Sequence, residues 1–71
     1  MNQEFIELVL NAAKARGEKI SVAEEFIIRA LQKIESGKAE VARYPNGSPS
    51  LKGVFDIAVQ LWAETSVKRG A

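Results

Sequence analysis

A chain of 71 residues is long enough for one domain at most, and without cysteine or histidine it has neither disulfides nor a zinc site built from those ligands. Its ten basic and nine acidic residues give a net charge of +1 and alternate along the chain, which is unlike the clustered Lys and Arg of proteins that hold nucleic acid. A hydrophobic content of 46% is that of a folded protein. So short a domain has little core, so tight helix packing or a partner chain must contribute to its stability.

The first predicted element is an α-helix over residues 3–16. Its apolar residues recur at intervals of three and four, as an amphipathic helix requires, and Asn2 is the predicted N-cap. Gly17 is the predicted stop, because glycine adopts the left-handed backbone of a helix end without steric cost. The apolar stripe consists of Phe5, Ile6, Val9, Leu10, Ala12 and Ala13.

A second helix is predicted over residues 21–36, where Ser21 and Glu24 have the spacing of a capping box and Gly37 is the stop. The short linker after the first helix predicts that the two helices form an antiparallel hairpin. Ile28 departs from the pattern, because it projects from the side expected to face water. The apolar stripe consists of Ala23, Phe26, Ile27, Ala30, Leu31 and Ile34.

The third helix is predicted over residues 49–69, with Ser48 as its N-cap and Pro49 at the first helical position, where no hydrogen bond is lost. Gly53 lies inside this helix and is expected to let another helix approach closely. The apolar stripe consists of Leu51, Val54, Phe55, Ala58, Leu61 and Trp62, and Ile57 and Val59 widen it.

The connection over residues 37–48 is long for a small helical domain and contains the turn signal Tyr44-Pro45-Asn46-Gly47. The residues before the turn have some strand character, but with Ser48 assigned to the helix we expect no second strand to pair with them. Two interpretations follow. The favoured one is that Val41 and Tyr44 fold back as a lid over the open end of the helical hairpin. The other is that the segment pairs with another molecule or recognises a partner, with Arg43 and Tyr44 as anchors.

Motifs for chemistry are incomplete in this sequence. Gly37-Lys38 resembles part of a phosphate-binding loop, but Gln32 and Ala39 replace the first glycine and the hydroxyl residue. The commonest general base and the commonest activated nucleophile are absent with His and Cys. Glu24 and Glu25 point about 100° apart on a helix and cannot act as a carboxylate pair. We therefore predict no enzyme, no cofactor and no metal site.

The apolar arcs of the first and third helices are wider than a three-helix monomer can bury, and this excess predicts an interface. We predict an all-α three-helix domain, residues 1–71, that works as a homodimer or higher homo-oligomer or docks on another protein. The sequence lacks an apolar run that could cross a bilayer and a basic signal-peptide start, so the predicted location is cytoplasmic. The interface candidates are Ile28, Arg43, Tyr44, Ile57, Val59 and Trp62.

Two alternatives stay open. A nucleic-acid-binding regulator of helix-turn-helix type would use the second helix, where Arg29 and Lys33 could reach a backbone but Glu24 and Glu25 would face phosphates. A weaker alternative is an enzyme whose Lys and Glu residues form a site at a subunit interface.

Overall fold

The described residues form three α-helices: α1 (Gln3–Ala15), α2 (Glu24–Glu35) and α3 (Leu51–Gly70). The computed structural model describes residues 3–19 and 22–70, with side chains described as far as residue 65. The predicted all-α three-helix class is confirmed. The helix ends agree with the predicted ends to within a residue, whereas α2 and α3 begin three and two residues later than predicted.

Glycine ends the first two helices in the predicted way. After α1 the amide of Glu18 donates to the carbonyl oxygen of Ala13 at 3.1 Å. The amide of Gly17 donates to the carbonyl oxygen of Lys14 at 3.0 Å. Gly17 has a φ of 81°, and Gly37 repeats the arrangement after α2 with a φ of 80°. This pair of bonds around a left-handed glycine satisfies carbonyl groups that the helix itself leaves without partners.

The start of α2 differs from the predicted capping box. The helix begins at Glu24 after Ala23, whose backbone is extended and whose side chain makes no capping bond. Ser21 lies outside the described residues, but Glu24 is not at the third helical position that the capping box needs. Its carboxylate instead accepts a hydrogen bond from Gln3 Nε2 at 2.9 Å, which joins the first residues of α1 and α2.

The start of α3 is also different, because its cap is Ser50 instead of Ser48. The Ser50 hydroxyl oxygen accepts from the amide of Gly53 at 3.3 Å, as an N-cap side chain does. Pro49, predicted at the first helical position, lies before the helix. The helix begins at Leu51, so the residues from Ser48 to Ser50 are available for pairing with the connection.

The expectation that the connection lacks a pairing partner within the chain is therefore wrong. Arg43 and Pro49 face each other in an antiparallel bridge, and the amide of Tyr44 donates to the Ser48 carbonyl oxygen at 2.9 Å. The amide of Gly47 donates to the Tyr44 carbonyl oxygen at 2.8 Å, and Gly47 has a φ of 88°. Residues 43–49 thus form a small hairpin. Its turn runs from Tyr44 to Gly47, with Pro45 at the second position and the left-handed Gly47 at the fourth.

The core is entirely apolar among the described residues, with no buried polar or charged side chain. α3 packs against both other helices, and these contact each other less than either contacts α3. Among the side chains of α3 that are described, as far as residue 65, the last buried one is Ala58. The buried residues are Ile6, Val9, Ala13, Val22, Phe26, Ile27, Ala30, Leu31, Ile34, Val54, Phe55 and Ala58.

Gly53 permits a close approach, but to the connection and not to another helix. A Cβ placed on Gly53 would lie 2.8 Å from the Cβ of Val41 and 2.9 Å from its Cγ1. Val41 is half-buried there and packs against the core. Of the two residues of the predicted lid, Val41 folds back onto the helices, where it covers the first turn of α3, whereas Tyr44 is 45% exposed.

Candidate functional site

Ile28 is accounted for by packing within the chain. It lies on the same side of α2 as Glu24 and Leu31, which precede it by four residues and follow it by three. Glu24 bonds to Gln3 of α1, and Leu31 lines an open hollow together with Phe5 of α1. α1 therefore contacts this side of α2, and Ile28 is half-buried against the core. Gln32 and Glu35 on the same side of α2 are exposed as expected, so the packing with α1 covers Ile28 and not the whole side.

Arg43 and Tyr44 are exposed, and both make bonds that hold the hairpin and the start of α3. Arg43 Nη1 donates to the Gly47 carbonyl oxygen at 2.8 Å across the turn. The Tyr44 hydroxyl oxygen accepts from the amide of Leu51 at 3.2 Å, which gives a partner to one of the amides that a helix start leaves unpaired. The role of these two side chains in binding a partner stays a prediction.

Ile57, Val59 and Trp62 lie on α3 with different exposure. Ile57 and Val59 are half-buried and pack against the core, whereas Trp62 is 38% exposed. Trp62 follows Ala58 by four residues and Phe55 by seven, so it lies on the side of α3 that faces the core. No described side chain of α3 after Ala58 is buried, so the core-facing side continues in Trp62 beyond the buried region.

The stretch of α3 between Asp56 and Lys68 is poor in charged residues. Glu64 is the one charged residue between Asp56 and Lys68, in a chain of which 27% is charged. Glu64 also lies about 200° around the helix from Trp62, so it does not interrupt the surface near the indole. Over its whole length α3 separates apolar from polar residues less sharply than α1 and α2 do. The apolar surface near Trp62 is thus wider than the stripe of an ordinary amphipathic helix.

Leu8 is a surface residue that the sequence analysis missed. It is 54% exposed, the most exposed large hydrophobic side chain among the described residues. Its neighbours on the outer side of α1 are the exposed Glu4, Glu7 and Asn11. The predicted stripe of α1 left Leu8 out, because it falls on the polar side. The signal that would have found it is the one used for Ile28, a large apolar residue on a side expected to face water.

A basic hollow lies between the second half of α2 and α3, with a volume of about 420 Å³. Half-buried Leu61 of α3 contributes an apolar surface to it. The Arg29 guanidinium lies 3.9 Å from the Glu25 carboxylate, and this exposed ion pair is weak. The same guanidinium lies over the Phe26 ring, 5.5 Å from its centre. The basic hollow is lined by Arg29, Gln32, Lys33, Ser36, Lys38 and Leu61.

An apolar hollow of about 400 Å³ lies between α1, the end of α2 and the hairpin. Its lining combines apolar side chains with one carboxylate and one guanidinium, and the side chain of Arg43 is already bonded to Gly47. The residues that line it are Phe5, Leu31, Ile34, Glu35, Arg43, Ser48 and Pro49.

The part of the chain that the structure describes offers no metal-binding set, since no three His, Cys, Asp or Glu residues come together. Within residues 3–19 and 22–70, no helix is both long enough and apolar enough to pass through a bilayer. Comparisons with protein-family models, with curated proteins and with solved structures give no match. The residues of this chain alone therefore support a functional proposal.

Proposed function

We propose that this protein is a small non-enzymatic interaction module that binds a second copy of itself through the second half of α3. The observation that carries the proposal is Trp62, which lies on the core-facing side of the helix and is still 38% exposed. A large aromatic side chain in this position, on a stretch of helix with one charge between Asp56 and Lys68, is what the centre of a protein interface contains.

Self-association fits this surface better than contact with a charged partner. In a symmetric dimer each residue meets the same patch on the other copy, so charged residues on the patch would face like charges. Residues 57–67 of α3 avoid this, because their one charge is Glu64, which points away from Trp62, and the next charged residue on the side of Trp62 is Arg69, about two turns further along the helix. Two copies of this helix can therefore pack around Trp62 without repulsion.

The exposed part of Trp62 gives a scale for the contact. At 38% exposure and roughly 250 Å² for the whole side chain, about 90 Å² of Trp62 faces solvent. Covering it is worth about 2 kcal/mol per chain, and about 4 kcal/mol in a symmetric dimer. This free energy is large compared with the stability expected of so small a domain. Dimerisation would therefore add stability that the limited core does not provide.

Sedimentation velocity with the variant Trp62→Glu tests the proposal. Gln60→Glu is the matched control, because it puts the same carboxylate on the same helix at an exposed position on the far side from Trp62. We expect the wild type and Gln60→Glu to dimerise with similar Kd values and Trp62→Glu to dimerise at least about 100-fold more weakly. A wild type that stays monomeric up to millimolar concentration, or equal Kd values for the two variants, would refute the proposal.

Trp62 also provides a direct optical signal, because it is the one tryptophan of the chain. On dilution through the Kd its emission should shift to the red as the indole meets water, while the circular dichroism at 222 nm stays constant. An emission maximum independent of concentration, in a sample that sedimentation shows to dissociate, would place the contact elsewhere.

A cytoplasmic location is part of this proposal, and the alternatives stay predictions with less support. A helix-turn-helix would present the start of α2 to DNA, where Glu24 and Glu25 occupy the first turn. The enzyme alternative needs a Lys and Glu pair assembled between subunits, and the uncharged surface around Trp62 does not provide one.

A further inference from the structure

Two surfaces of the molecule have features that the contact through α3 does not use. The outer face of α1 exposes Leu8 beside acidic residues, and the basic hollow between α2 and α3 combines Leu61 with three cationic side chains. Each surface pairs an apolar residue with charges, and the charges of the two surfaces have opposite sign. They belong to one chain, so a second copy can supply the complement of each.

We propose that the outer face of α1 in one copy docks into the basic hollow of another copy. In this contact Leu8 covers Leu61, and Glu7 faces Lys33 and Lys38 of the other chain. The contact is head-to-tail, because the two surfaces are different. A head-to-tail contact leaves one surface free on each end molecule, so further copies can add to a pair of molecules. The proposal does not depend on the contact through Trp62.

The order of the charges fixes the direction of the two helices. Along α1 the acidic Glu7 precedes the basic Lys14, and along α2 the acidic Glu25 precedes the basic Lys33, all four exposed. An antiparallel arrangement therefore sets Glu7 against Lys33 and Lys14 against Glu25. The two intervals are seven and eight residues, about 10 and 12 Å of helix, so both pairs can form together, with Lys14 sharing the Glu25 carboxylate that lies 3.9 Å from Arg29 of its own chain.

Helix dipoles favour this order of charges in any helix, so the order alone does not point to a partner. The apolar residues add the second observation. Leu8 is 54% exposed on a face that is otherwise polar, and Leu61 is accessible at the basic hollow. Lys33 and Lys38 have no ion-pair partner among the described residues, so an acidic segment can bind there without breaking an existing pair.

The test uses the full chain carrying Trp62→Glu, so that association through α3 does not mask the second contact. Sedimentation equilibrium in 50 mM salt should give a mean mass that rises beyond the monomer with concentration, and 500 mM salt should reduce this association because exposed charges are screened. Glu7→Lys should weaken the association at least tenfold, and so should Lys33→Glu. The chain with both changes should associate with a Kd within about threefold of that of the Trp62→Glu chain alone, because the charges are exchanged and not lost.

Leu8→Gln tests the apolar part of the contact and should also weaken association at least tenfold, while Asn11→Gln on the same face is the control and should have no effect. A Trp62→Glu chain that stays monomeric at every concentration overturns this inference and leaves the contact through α3 untouched. Equal association of Glu7→Lys and the doubly exchanged chain overturns it too. So does duplex DNA bound at the basic hollow in the absence of self-association, which would favour the nucleic-acid alternative.

Discussion

The close contact between Gly53 and Val41 makes a quantitative prediction for the substitution Gly53→Ala. The added Cβ would lie 2.8 Å from the Cβ of Val41 and 2.9 Å from its Cγ1, both closer than carbon atoms tolerate. Overpacking of this kind costs about 1–3 kcal/mol, whereas replacing glycine by alanine within a helix gains up to about 1 kcal/mol. We therefore expect Gly53→Ala to lower the free energy of unfolding by up to about 2 kcal/mol.

A double-mutant cycle separates the two effects. In a chain with Val41→Gly both close atoms are gone, so Gly53→Ala should stabilise by up to about 1 kcal/mol, and the coupling energy should be about 1–3 kcal/mol. Val41→Ala is an internal control, because it removes Cγ1 but keeps the Cβ at 2.8 Å, and it should relieve only part of the cost.

Urea and thermal unfolding at one fixed protein concentration measure these differences, since association contributes to stability and 1 kcal/mol corresponds to about 4–8 °C in Tm for a domain of this size. The reasoning is wrong if Gly53→Ala has the same effect in both backgrounds, or if it stabilises the chain that retains Val41.

The remaining predictions concern the hairpin and the start of α3, and all are checked by the same unfolding measurements. Ser50→Ala should cost about 1 kcal/mol because it removes the cap on the Gly53 amide, whereas Ser48→Ala should change stability by less than about 0.5 kcal/mol; equal effects would contradict the assigned cap. Gly47→Ala should cost about 1 kcal/mol because an L side chain is strained at a φ of 88°, and a neutral result would mean that the turn has another conformation. Tyr44→Phe should cost less than about 1 kcal/mol, because water can replace the exposed acceptor, and a larger loss would show that the hydroxyl does more than bond the Leu51 amide.

The fold class and the helix ends could be predicted because their determinants are local. A left-handed glycine ends a helix through bonds to residues within the preceding turn and a half, so Gly17 and Gly37 carry the signal by themselves. The three- and four-residue periodicity likewise depends on neighbours along the helix. Most of the predicted stripe residues accordingly lie in the core or pack against it.

The helix starts and the surface residues depend on distant parts of the chain. Ser48 and Ser50 are both good caps, and the pairing of Arg43 with Pro49 decides between them by keeping Ser48 in the hairpin. The burial of Ile28 depends on where α1 crosses α2, and the exposure of Trp62 depends on where the neighbouring helices stop covering α3. Neither position is encoded in the periodicity of the helix that carries the residue.

Among the described side chains of α3, those buried in the core lie between Val54 and Ala58, while Val59 and Leu61 pack against the core from half-buried positions. Substitutions as far as Leu61 are therefore limited by the fold, whereas exposed positions such as Gln60 and Glu64 tolerate change with little loss of folding stability. A new binding specificity can therefore arise at the exposed positions of this helix. For protein engineering, the same region is a place to graft recognition residues onto an intact scaffold.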